Sequence, residues 1–333
     1  MLFAEHVPEP SPGEGEVLVK VAATSICGTD LHVFEWTPSA QAFEPTLPVV
    51  IGHESAGTVV AVGTGVHGLR VGDRVAVESH IFCGSCYFCR TGDAHNCLRM
   101  RLFGLTWDGA FAEYFRVPER VCFGLPDSIP LEVGALFEPC GVAVHALQRA
   151  GLAVEGADVV ITGAGPIGLV LVQLCVSGGA AHVVCVEPNP FRRKLAEKAG
   201  AVAVDPGGDL VALGRDLSPR RRGFDLAFEC SAVESTIPLL LESLRREATL
   251  VTIGHPGRPV AIDVAAYVNK KGITLRGVFG RRVWDTWELM LSLVESRRLD
   301  LAGLVTHRLG LREFERAVSL LREDAAKILI LPE

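Results

Sequence analysis

The stretch Asp158-Val159-Val160-Ile161-Thr162-Gly163-Ala164-Gly165-Pro166-Ile167-Gly168 decides the fold of this chain. Its first five residues read as a buried strand, its glycines as a turn, and the apolar run to about Gly178 as a helix. The G-x-G-x-x-G string is weak evidence alone. Here it closes a strand and opens a helix, and the next strand, His182-Val183-Val184-Cys185-Val186-Glu187, ends in an acid. That acid falls near the spacing of about 20 residues expected after a dinucleotide turn. Gly163 permits the tight turn, Gly165 lets the backbone approach a pyrophosphate, and Gly168 allows close helix–strand packing, with Ile167 in the same turn. The helix N-terminus faces the phosphates. A carboxylate at Glu187 favours NAD and repels the extra phosphate of NADP, although Arg192 and Arg193 could accept that phosphate.

Working outward, the same alternation continues. Arg192 to Ala199 reads as a helix, and Phe224 to Glu229 and Ala248 to Ile253 as strands, with helices between. Strand–helix alternation builds a parallel, doubly wound sheet, so the chain is α/β here. The preceding 135 or so residues differ: short runs such as Val17 to Val21 and Gly57 to Val62, bounded by Gly and Pro, read as β-rich. The tail carries an amphipathic helix (Trp284 to Ser296), a strand (Leu304 to His307), a helix (Leu311 to Arg322) and a last strand (Lys327 to Leu331). The apolar strand Gly272 to Gly277 is either internal to the sheet or a point where two subunits join sheets.

The chain has 333 residues, 49% hydrophobic and 21% charged, which suits a globular protein of two domains. Its net charge of −7 argues against a nucleic-acid partner. The basic run Arg220-Arg221-Arg222 is most simply a solvated loop. No apolar stretch is long enough to span a membrane. Met1 to His6 lacks the basic-then-apolar pattern of a secretion signal, so a cytoplasmic protein is expected. Ten cysteines in that setting suggest thiols and metal ligands rather than disulfides. Cys122, Cys175, Cys185 and Cys230 lie in apolar runs and read as core thiols.

Four other cysteines, Cys83, Cys86, Cys89 and Cys97, crowd into one loop-like stretch with few aliphatic residues. Four thiolates so close can wrap one tetrahedral Zn2+, which would also stabilise a lobe unable to pack on its own. An iron–sulfur cluster usually takes its fourth cysteine after three residues and before proline. Here Leu98 follows a longer gap, and zinc is favoured. A closed four-cysteine site has no open position, so chemistry must lie elsewhere. Cys27-Gly28-Thr29-Asp30-Leu31-His32 and Gly52-His53-Glu54 carry the Cys, His and Glu types that hold a zinc with one position open.

These motifs, with the four-cysteine lobe and the Gly163 turn, stand in the order seen in zinc-dependent medium-chain dehydrogenases, and the resemblance covers essentially the whole chain. It is sharpened by Glu78-Ser79-His80-Ile81, Glu138-Pro139-Cys140-Gly141, Gly280-Arg281, Thr286-Trp287 and Thr306-His307-Arg308, which resemble the threonine-oxidising branch of that family. The resemblance implies a GroES-like β-rich catalytic domain (1–137 and 281–333, with a zinc lobe at 80–100) and a Rossmann NAD-binding domain (138–280). It implies a catalytic Zn2+ on Cys27, His53 and Glu54, with Glu138 able to approach or ligate it. It also implies a structural Zn2+ on the four-cysteine lobe, a proton relay through Thr29 and His32, and His80 in the substrate pocket. Arg192 would hold the adenosine ribose, and Ile253-Gly254-His255 and Val278-Phe279 the nicotinamide half. The implied reaction is oxidation of a small-molecule secondary alcohol with NAD, L-threonine being the expected substrate, in a homotetramer. Because Cys27 and Glu54 already neutralise the ion, Glu138 is expected to stand off when substrate binds. A non-catalytic binder on this scaffold would have lost ligands, and all five of Cys27, Thr29, His32, His53 and Glu54 are present.

Three segments depart from that branch. Cys140-Gly141-Val142 places an apolar side chain where an amide is usual, and Thr37 to Glu44 lacks a second tryptophan and is one residue longer. Pocket loops decide substrate choice, so a polyol, sugar or cyclitol is the alternative substrate. The chain also opens about a dozen residues after the usual first strand. Either a short start or a trimmed N-terminal sheet is expected.

Overall fold

The computed structural model describes residues 3–332, and the chain folds as two units. The first takes Met1–Pro139, Arg282–Leu291 and Leu301–Glu333; the second takes Cys140–Arg281 and Ser292–Asp300. The last of these segments had been expected with the first unit. Its side chains decide otherwise: Gln173 brackets Asp300, accepting its N–H at 2.7 Å and donating to its carbonyl at 3.0 Å, while Leu299 is buried.

Among the described residues of the first unit, seven strands form one sheet. Glu16–Ser25 pairs antiparallel with Glu54–Val62, with Tyr114–Pro118 and with the final strand Lys327–Leu331. Its core is valine-rich: Val17, Val19, Val59, Val75, Val77 and Val117 are fully buried, with Phe103 and Phe115 stacked edge to face at 4.9 Å. β-Branched and aromatic side chains suit a half-buried pleated surface. The Glu54–Val62 strand starts three residues earlier than the run of valines suggests, and this puts Glu54 on the first paired position, opposite Ser25.

The second unit is the parallel sheet expected from alternation. Its order is Val202–Val204, His182–Val186, Asp158–Thr162, Phe224–Glu229, Leu244–Thr252, Thr274–Gly277. All five residues of Asp158–Thr162 and all six of Phe224–Glu229 are buried, as for central strands covered on both faces. Chain direction across the sheet reverses between these two strands, the point where α/β folds take ligands at the carboxyl edge. Thr274–Gly277 is the sheet's outer strand, not an internal one, with Leu275 45% exposed.

The basic run forms the exposed loop expected, and Arg221 within it is also tied to the sheet. It lies on the surface, yet it donates to Asp158 at 2.6 Å and stands 3.2 Å from Asp225, both buried. Burial disfavours a charged Asp158, but His182, Ser218 and Arg221 outweigh that and hold its carboxyl below the usual carboxylate range. The core-thiol reading holds for Cys175 and Cys185, whose burial pushes each thiol up to about 12. Burial likewise raises Cys122 and Cys230.

Candidate metal centre and dinucleotide site

Cys27 stands at the N-cap of the Gly28–Glu35 helix, and its own N–H donates to Asp30 Oδ2 at 2.9 Å. Cys-Gly-Thr-Asp is therefore a helix start. Glu54 opens the Glu54–Val62 strand, and His53 immediately precedes it. One ligand atom from each of Cys27, His53 and Glu54 lies within 4.8 Å of the others. Behind His53, Asp30 Oδ1 lies 3.4 Å from Nδ1, which leaves Nε2 for a metal. Behind Glu54, the Ser25 hydroxyl and the Lys327 ammonium both donate to Oε2, and Lys327 also donates to the Ile26 carbonyl at 3.0 Å. Glu54 Oε1 is buried with no partner among the described residues.

A zinc ion fits this arrangement. A buried acceptor left over on Glu54, a thiol at a helix N-terminus and an imidazole braced by a carboxylate are a borderline-soft donor set. Burial alone would keep His53 neutral, but Asp30 and Cys27 outweigh it and hold its imidazole well above the ordinary histidine range. A pocket that holds a proton so firmly is one that attracts a cation. Glu138, buried in the Phe137–Ala150 helix, is not one of the three residues whose ligand atoms come together.

The four lobe cysteines converge as a second group. Sulfur separations are 3.5 Å (Cys86–Cys89) and 3.9 Å (Cys83–Cys89 and Cys86–Cys97). A regular tetrahedron with zinc–sulfur bonds of about 2.3 Å has edges of about 3.8 Å. The lobe also carries its own counter-charge. Arg99 donates to Cys83 Sγ at 3.3 Å and to Ser85 Oγ at 2.6 Å. The Ser85 N–H and the Arg99 guanidinium hold the Cys83 thiol down to about 5, whereas burial and Cys86 push Cys89 up to about 12. The convergence of all four sulfurs at these spacings suits one shared cation.

The residues expected to hold the dinucleotide follow strand ends on one edge of the sheet. The parallel register aligns Thr162 with Val186 and with Glu229, and Thr252 with Gly277. Gly163, Glu187, Ile253 and Val278 each follow the end of a strand on that edge. Gly163 has φ +90, open only to glycine without strain. A Cβ on Gly168 would lie 1.9 Å from the Gly163 carbonyl, so helix and turn touch as the motif requires. A Cβ on Gly165 would meet nothing within 4 Å, which leaves the turn open to a phosphate. Glu187 is braced at both oxygens, accepting from the N–H of Ala164 at 2.7 Å and of Asn189 at 2.9 Å. Arg193 is occupied, donating to the Glu187 and Pro188 carbonyls at 2.7 Å and to Asp205 at 3.0 Å. A fixed carboxylate beside an engaged arginine suits NAD. Hydrogen bonds to a charged group contribute about 1.5–3 kcal/mol, so Glu187→Ala should lower kcat/KM for NAD relative to NADP by about 10- to 100-fold. An unchanged ratio of the two cofactors would show that Glu187 does not select between them.

Thr29 Oγ1 lies 3.7 Å from Cys27 Sγ, and His32, one turn along the same helix, is exposed, with Nδ1 3.3 Å from Thr37 Oγ1. His80 is buried. Glu78 accepts its N–H at 2.9 Å and takes the Trp287 indole N–H at 3.0 Å on the other oxygen. Arg192 is half-buried, and His255 and Phe279 are exposed. Sequence reasoning missed Ser25, Asp30 and Lys327 behind the catalytic ligands, and Arg99 beside the lobe. The one signal for Lys327 is a charge opening the otherwise apolar Lys327-Ile328-Leu329-Ile330-Leu331 strand.

A dinucleotide edge on one unit and an open three-ligand metal set on the other define a metal-dependent dehydrogenase. Residues 13–127 match the alcohol dehydrogenase GroES-like domain and residues 166–296 the zinc-binding dehydrogenase domain. The chain belongs to the zinc-dependent medium-chain alcohol dehydrogenase family. It is 42% identical over 322 residues to the L-threonine 3-dehydrogenase of Pyrococcus abyssi, covering 95% of this chain and 91% of that one. It is 38% identical to the enzyme of the same name from Aeromonas hydrophila subsp. hydrophila, covering 99% and 95%. Among solved structures it resembles 2R,3R-butanediol dehydrogenase from Bacillus subtilis (TM-score 0.89, 32% identity, 99% and 96% covered).

Proposed function

We propose that the protein oxidises the secondary hydroxyl of L-threonine to 2-amino-3-oxobutanoate with NAD. The observation that carries this reading is the convergence of Cys27, His53 and Glu54 with a spare acceptor on Glu54. The relatives of 42% and 38% identity support threonine as the substrate. When bound, zinc supplies Lewis acidity that makes the substrate hydroxyl a stronger acid, and the nicotinamide supplies the hydride acceptor.

The chain's own residues do the rest. Cys27 and Glu54 bring two negative charges and leave the ion formally neutral, a better Lewis acid than a four-ligand set that included Glu138. Asp30, Ser25 and Lys327 hold the ligands in place. Thr29 would relay the hydroxyl proton, accepting it as it releases its own, and His32, exposed on the same helix, would hand a proton on to water. His80, fixed by Glu78 and Trp287, lines the substrate's side of the site. Gly163 to Gly168 seat the pyrophosphate, Glu187 and Arg192 the adenosine ribose, and Ile253 to His255 with Val278 and Phe279 the nicotinamide half.

The outer strand Thr274–Gly277, with Leu275 exposed, supports pairing between copies and a homotetramer. Ten cysteines without a disulfide pattern support a reducing, cytoplasmic setting. No helix among the described residues is long and apolar enough to cross a membrane.

One experiment tests these readings together. Purified protein is assayed with NAD on L-threonine, sorbitol, myo-inositol and 2,3-butanediol, and native mass spectrometry on the same sample counts zinc and copies per particle. Threonine should exceed the others in kcat/KM by about tenfold or more, a margin that 1.4 kcal/mol of differential transition-state binding supplies. A polyol or butanediol preference would replace threonine as the substrate, and a monomer would rule out the tetramer.

A further inference from the structure

Glu229 is the last residue of the strand beside the switch point, fully buried, and no role has so far been attached to it. Its Oε1 accepts the Ser231 N–H at 2.8 Å, the Ser231 hydroxyl at 2.6 Å, the Ala232 N–H at 3.0 Å and the Thr236 hydroxyl at 3.1 Å. Its main-chain carbonyl accepts the N–H groups of Ile253 at 2.9 Å and Gly254 at 3.0 Å. The segment it holds is pressed against the phosphate turn: a Cβ on Gly163 would lie 3.2 Å from the Ser231 N and Cα. On the other side a Cβ on Gly254 would lie 2.5 Å from Glu229 Oε2 and 2.6 Å from the Ala232 N. One residue therefore spaces the Gly163 turn from the Ile253–Gly254 turn, and the glycine at 254 is what its carboxylate requires.

The geometry points to Glu229 as the positioning residue of the dinucleotide site: it sets the gap between the turn that seats the pyrophosphate and the turn that seats the nicotinamide half. A misplacement of about 1 Å in such a support can cost about a hundredfold. This rests on the NAD-dependent reading of the enzyme.

The test measures NADH affinity by fluorescence and steady-state kinetics with NAD and L-threonine on the full-length zinc-loaded enzyme. Glu229→Ala should raise the NADH Kd and the KM for NAD by about 10- to 100-fold. kcat at saturating NAD and the KM for threonine should stay within about threefold. Glu229→Gln, whose carbonyl can keep the bonds to Ser231, Ala232 and Thr236, should stay within about threefold of wild type throughout. Thr236→Val and Ser231→Ala, which each remove one tie and keep the carboxylate, should fall between, at about two- to tenfold. They carry the test if Glu229→Ala does not fold. Unchanged NADH affinity in the Thr236 and Ser231 variants, or a Glu229→Gln enzyme as impaired as Glu229→Ala, would overturn the inference. Wild-type enzyme that fails to bind NADH would instead overturn the NAD-dependent function.

Discussion

Cys27→Ser should lower turnover about a thousandfold while NADH binds as before. The expected size follows from the metal's task. Lewis-acid stabilisation is worth several kcal/mol, and each 1.4 kcal/mol is about tenfold in rate. Serine keeps the shape of cysteine but not its charge, because its hydroxyl stays protonated where the thiol ionises. The set would then hold one anion, Glu54, in place of two. NADH binding is the internal control, since Gly163 to Gly168 and Glu187 belong to the second unit. Zinc per chain should fall from two toward one, in keeping with the two ligand groups. Turnover close to wild type in the serine variant would remove Cys27 from the metal centre and the Lewis-acid step with it.

Cys83→Ser should act on stability instead. Between Phe82 and Met100 only Ala94, His95 and Cys97 are buried, so the lobe has almost no apolar core. Loss of a structural metal is among the few changes that exceed about 4 kcal/mol. At about 2–4 °C per kcal/mol for a domain of this size, the first unit should melt about 10 °C lower by calorimetry. Below that temperature kcat should stay within about threefold, because none of the lobe's cysteines belongs to the Cys27, His53 and Glu54 group. A variant that keeps its melting temperature would mean the lobe packs without its metal. One that folds as well as wild type but cannot turn over would give the lobe a part in the chemistry.

The reading of Asp158 to Gly168 in the sequence matched the structure almost residue for residue, and the reason is local. Strand, turn and helix are contiguous there, and their ties are short-range: Gly168 meets Gly163, and Glu187 ties back to Ala164. The four-cysteine lobe was legible for the same reason. The catalytic set was only half legible. Cys27 and His53-Glu54 carry recognisable local patterns, yet what turns them into one site is strand pairing, which aligns Ser25 with Glu54 and brings Lys327 beside both. Pairing across that distance leaves no period in the sequence. The run at Arg220 to Arg222 is the exposed loop expected, but the ion pairs of Arg221 were not legible for a related cause: Asp158 and Asp225 lie at strand starts that come together only in the folded sheet. Glu229 was invisible because an acid ending an apolar strand looks like any solvated strand end until the turn folds over it.

Lys327 has one more implication, and it concerns how far along the chain each metal set draws its parts. Glu54 and Lys327 belong to the same unit, yet they stand 273 residues apart and the entire parallel sheet is encoded between them. The four-cysteine lobe takes its ligands from 15 consecutive residues, Cys83 to Cys97. The lobe's set is therefore a product of local sequence, whereas the bracing of Glu54 depends on the whole first unit having closed around the inserted sheet.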